Sequence, residues 1–123
     1  MFLVAENRWS KIEVYDTNIN WLISLIELLA IGDFDTSTMF KDDYMTDYYD
    51  CLHISELIQK HLELNQIFEI RDGDKSLPYI WTDSHNKLPS HLRTLCWSKK
   101  IFLLAFSKFC VDSEGFTAYD EEP

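Results

Sequence analysis

The amino-acid sequence predicts a mainly α protein, a single-domain helical bundle carrying one β-hairpin near residues 67–81. Three observations point there. Apolar residues recur at helical spacing over three long stretches. An Asp72-Gly73 pair separates two apolar runs, the usual mark of a hairpin turn. At 123 residues, with 46% hydrophobic and 15% aromatic content, the chain can bury one sizeable core.

The first helix is expected over residues 17–31. Asp16 or Thr17 can cap its start, and Gly32 stands where a helix C-terminal glycine belongs. Only the line Asn20, Ser24, Glu27 interrupts its apolar surface, which suits a central position. Its apolar run "INWLISLIELLAI" falls short of the ~20 residues a membrane span needs. "GDFDTSTMF" reads as a loop. A second helix is expected from near Asp42 to about Leu64, with Tyr44, Tyr48, Cys51, Ile58 and Leu62 on its core face. The hairpin follows in "IFEIRDGDKSLPYIW", where Pro78 confines the second strand to an edge.

The last helix is expected from around Pro89 to Val111, with Leu92, Leu95, Cys96, Phe102, Leu103, Phe106, Phe109 and Cys110 as its buried stripe. Lys99 falls inside that stripe and has to snorkel outward. The globular domain thus spans 1–111. Residues 112–123, "DSEGFTAYDEEP", read as an acidic, mobile C-terminal tail.

The net charge of -10 is unevenly spread: residues 84–111 carry five bases and no acid, and residues 112–123 carry five acids and no base. This balance disfavours nucleic acid and anionic membranes as partners and favours a cationic one. Cys51, Cys96 and Cys110, an odd count in apolar stretches without a C-x-x-C pair, read as buried thiols in a reducing compartment. Glu6, Arg8, Lys11, Glu13 and Asp16 leave no room for a signal-peptide core, so a cytoplasmic location is expected.

The segment "KDDYMTDYYD", residues 41–50, packs four aspartates and three tyrosines into ten positions. On a helix, Tyr44 and Tyr48 turn toward the core, while Tyr49 turns out beside Asp42, Asp50, His53 and Glu56, with Asp43 and Asp47 on the shoulder. The helix dipole accounts for acids in a first turn only, and the pair Asp43 and Asp47 is mildly repulsive. Asp42, Asp43, Asp47, Asp50 and Glu56 therefore form the expected partner-binding surface, with Tyr49 as its anchor. A second face, with Arg93, Lys100 and Lys108 beside Trp97 and Leu104, suits contact with the chain's own acidic tail, a homo-oligomer or a partner's acidic rim.

Catalytic constellations are incomplete. Asp50-x-x-His53 with Glu56 is one fragment of a helical di-metal site. His61-x-Glu63 lacks the cysteines of a zinc deaminase. His85 and His91 lack metal carboxylates at recognisable spacing, and the isolated glycines form no phosphate loop. No enzyme activity, metal or cofactor is expected.

A small acidic chain with carboxylates and tyrosine exposed and no catalytic motif resembles the immunity proteins of bacterial toxin–immunity systems, of the contact-dependent growth inhibition or bacteriocin type. The resemblance is one of overall type across the chain and carries no functional residue over. It implies binding and neutralisation of a cognate basic toxin domain, often a nuclease, by blocking its substrate cleft. The competing expectations are a nucleic-acid mimic directed at a host DNA- or RNA-binding protein, and a non-catalytic oligomeric adaptor.

Overall fold

The computed structural model describes residues 1–7, 10–30, 36–82, 92–94 and 96–123. Strands β1 (Phe2–Ala5) and β2 (Lys11–Glu13) precede helix α1 (Asp16–Ala30) and the short α2 (Thr36–Met39). Strand β3 (Met45–Asp47) runs directly into α3 (Tyr48–Glu63). The hairpin β4 (Ile67–Asp72) and β5 (Lys75–Ile80) follows, then β6 (Leu92–Thr94), α4 (Trp97–Asp112) and β7 (Gly115–Tyr119). Two antiparallel sheets result, one ordered β2-β1-β7-β3 and the other β5-β4-β6.

The chain is therefore a mixed α/β protein, which overturns the helical bundle. The strands that sequence periodicity passes over are three to five residues long, too short to display alternation, and β7 pairs with β1 and β3 across most of the chain. In the four-stranded sheet the inward row is set by register. Leu3 faces Ala118, and Ala5 and Thr46 flank Phe116, all with almost no exposure. Phe116 then meets Phe109 at 5.8 Å and Phe106 at 6.4 Å between ring centroids, joining sheet to α4. From α1 the side chains Trp21, Leu22, Leu25 and Ile26 enter the same core.

Segment 112–123 departs most from expectation. Instead of a mobile tail, Gly115–Tyr119 is an inner strand, bonded to β1 on one side and β3 on the other. The hairpin near 67–81 forms, with Pro78 on the edge strand β5, but its turn sits one residue later than Asp72-Gly73: Asp72 pairs with Lys75 and Gly73, at φ 61, begins the two-residue loop.

Helix boundaries shift for physical reasons. The second helix starts at Tyr48 rather than Asp42, because Met45–Asp47 pairs with β7 first. Its far end closes on Asn65 at φ 52, a conformation that asparagine tolerates, with Gln66 N–H donating to His61 O. In place of the loop expected over 32–40, Thr36–Met39 is helical; residues 31–35 lie outside the described set. The last helix starts at Trp97, since Leu92–Thr94 pairs with β4; Pro89 and Leu95 are outside the described residues. Among the described residues no helix is long and apolar enough to cross a membrane.

Candidate functional site

The candidate partner surface is built where the turn 41–44, β3, the start of α3 and the C-terminal end of β7 meet. Two backbone bonds lace the turn to β7: Asp43 N–H donates to Ala118 O at 2.8 Å, and Ala118 N–H donates to Tyr44 O at 3.0 Å. The Asp42 carboxylate accepts from Asp120 N–H at 2.9 Å. Asp43 sits at φ 64, a left-handed position that Asp occupies more readily than most residues. Together Asp42 and Asp43 line a shallow groove of about 470 Å³ with Tyr119, Asp120, Glu121 and Glu122. Lys11 pairs with Glu122 at its margin.

Asp42 and Asp43 thus precede the helix and do not belong to its first turn. Asp47 is the helix N-cap, its carboxylate accepting from Asp50 N–H at 2.9 Å. That contact explains a charge which the dipole argument left over. Asp50 lies in the first turn, yet its carboxyl is raised above the ordinary value by partial burial and then by the charge of Asp47; His53 opposes the shift. A cation arriving beside Asp47 and Asp50 would relieve that repulsion. Glu56 is exposed two turns further along α3.

Tyr49 is 78% exposed, as an anchor residue has to be. Tyr44 and Tyr48, expected in the core, are 44% and 42% exposed and join it, as does Met45 at 52%. The correction comes from β3. Once Met45–Asp47 is extended, the helical projection no longer applies to Tyr44, and the inward position on the strand belongs to Thr46. Side chains of Cys51, Ile54 and Ile58 form the buried face of α3. The segment 41–50 therefore displays four large apolar side chains among four aspartates. Asp120, Glu121 and Glu122, left out of the sequence-derived site, enter it because β7 carries them beside Asp42 and Asp43. Periodicity holds no signal for that placement.

Among the described residues no three His, Cys, Asp or Glu side chains gather as a metal site requires. Lys99 does leave the core stripe. Its ammonium lies 5.4 Å from the centroid of the Trp21 ring and donates to Asn18 Oδ1, tying α4 to α1. Cys51 and Cys110 are buried, whereas Cys96 is half-exposed at the N-cap of α4. The chain matches no protein-family model, no curated protein and no solved structure.

Proposed function

We propose that this chain is an immunity-type inhibitor that binds a cationic toxin domain through the surface formed by Asp42, Asp43, Asp47, Tyr49, Asp50 and Glu56, extended by Asp120, Glu121 and Glu122. The observation that carries the reading is the cluster Tyr44, Met45, Tyr48 and Tyr49, exposed within a field of carboxylates. Aromatic residues and methionine are enriched in interface cores, and carboxylates around them speed encounter with a basic partner. A cleft evolved for phosphates attracts the same carboxylates, so occupying it would exclude the substrate. A nuclease fits the charge logic best.

The test is affinity purification of the tagged chain from its own cells at low salt, followed by mass spectrometry. A basic domain should be retained and released by salt. Tyr49→Ala should then weaken binding by ~2 kcal/mol or more, the scale of an interface hot spot. Asp47 needs Asp47→Asn rather than a lysine, since asparagine keeps the N-cap acceptor while removing the charge. Asp43→Asn and Asp47→Asn together should slow association more than they speed dissociation. Recovery of a nucleic-acid-binding protein that DNA or RNA displaces would replace this reading with mimicry. Unchanged affinity in Tyr49→Ala would remove this surface from the interface.

A further inference from the structure

Helix α4 buries Leu103, Phe106, Ser107, Phe109 and Cys110 against the rest of the fold and still carries apolar side chains on its outer side. Trp97 is 73% exposed, Ile101 53%, Leu104 49% and Val111 38%. With Lys108 they follow the spacing i, i+4, i+7, i+11, i+14, one continuous seam of the kind that packs helices side by side. Ser98 and Ala105, both small and exposed, border it. Among the described residues nothing covers this seam, although apolar surface of that continuity normally marks an interface.

We propose that the seam is covered by a second copy of this chain, with the two α4 helices antiparallel. Charge and register select this occupant. A chain of net charge -10 repels its own copy everywhere except where acids are missing, and along residues 97–111 the charged residues are Lys99, Lys100 and Lys108, all basic. Lys99 is turned away toward Asn18. The seam complements itself in one direction only. Antiparallel helices alternate the two seam positions across each layer, which sets Ile101 against the partner copy's Leu104 and Trp97 against its Lys108. The Trp97 ring already has Lys100 Nζ at 5.7 Å from its centroid, so its face accepts a cation. A parallel pair would instead put Lys108 on Lys108. Closed two-fold pairing is also the commonest form of self-association. The seam is about 21 Å long at 1.5 Å per residue. One helix of that length offers a contact at the low end of specific interfaces, so the dimer is reversible.

The inference concerns a face separate from the acidic surface and stands or falls independently of toxin binding. Sedimentation velocity of the untagged chain over rising concentration tests it. The mass should move from 14.6 kDa toward twice that value. Added salt should strengthen association, because it screens repulsion between two acidic bodies. Leu104→Lys should weaken the dimer about tenfold or more while leaving the thermal melt of the dilute protein unchanged, since the side chain is outside the core. Lys108→Gln, compared at high salt, reads the orientation. It should weaken an antiparallel dimer by losing the contact with Trp97, whereas it would strengthen a parallel one. A chain that stays monomeric near millimolar concentration, a dimer indifferent to Leu104→Lys, or tighter association in Lys108→Gln would overturn the proposal.

Discussion

At Asp50 the carboxyl is held above its ordinary value of 3.8 by burial first and by the charge of Asp47 second, with His53 pulling the other way. Because the folded-state pKa is the higher one, the native state binds a proton more readily than the unfolded chain. Stability from this group therefore rises as pH falls from neutral through the raised pKa, and the ionised form is a burden above it. Asp50→Asn should be neutral or stabilising at pH 7, and wild type should regain ground on it as pH falls toward about 4. Urea denaturation of both proteins at several pH values checks the sign. Thr46 offers a second residue-scale test. It is 2% exposed and its hydroxyl has no hydrogen-bond partner among the described residues. Thr46→Val keeps the shape and β-branching and removes the stranded oxygen, so it should stabilise by about 1 kcal/mol, read as a higher urea midpoint.

The pairing of β3 with β7 continues into the pairing of α3 with α4. Asp47 lies opposite Gly115 in the sheet. Eight residues on from Asp47 and eight back from Gly115 lead to Ser55 and Ser107, whose hydroxyls meet at 2.7 Å. Gln59 Nε2 donates to Ser107 Oγ at 3.1 Å, which completes a buried polar contact between the two helices. One turn from it in the opposite sense lie Cys51 and Cys110. Their side-chain hydrogen bond, together with burial, holds the Cys110 thiol well above its ordinary range, so it is a poor nucleophile. Ser107→Ala removes the hydroxyl that Ser55 and Gln59 share, while Ser55 still donates to Ser107 O at 3.2 Å, so it should cost about 1 kcal/mol. Ser55→Ala with Ser107→Ala should cost less than the sum of the single changes, which a double-mutant cycle by denaturation measures. Where α4 turns into β7, Gly115 sits at φ 103, and a Cβ there would come within 2.9 Å of Thr46 O. Gly115→Ala should destabilise by at least ~2 kcal/mol from backbone strain and the clash together.

The whole molecule depends on its last elements. Strand β7 lies between β1 and β3, and Phe116 and Ala118 are fully buried from it. Ending the chain at Ser113 would strip the four-stranded sheet of an inner strand, separate β1 from β3 and remove a core phenylalanine, which alone is worth about 3–5 kcal/mol. With total stability of a domain near 5–15 kcal/mol, that truncated chain should not fold. Loss of near-ultraviolet circular dichroism and of a cooperative thermal transition would show it; a chain that melts normally would contradict the central placement of β7. The same strand delivers Asp120, Glu121 and Glu122 to Asp42 and Asp43. Truncation thus removes part of the proposed partner surface as well as the fold.

By itself the sequence determined the features that depend on neighbours a few residues away. Helical spacing marked α1, α3 and α4, Asp72-Gly73 marked the β4–β5 hairpin, and the exposed Tyr49 among aspartates followed from composition and projection. Tertiary structure decided whatever rests on long-range pairing. Strands of three to five residues cannot announce themselves by alternation, and Met45–Asp47 looks like the opening turn of α3 until β7 arrives to pair with it. "GFTAY" looks like a tail because acids surround it. Only its register with Leu3 and Thr46 shows that Phe116 and Ala118 point inward. For the same reason Asp47 could be counted as a surface charge but not identified as a cap, since capping depends on where the helix begins. That start is set by a strand some seventy residues further along the chain.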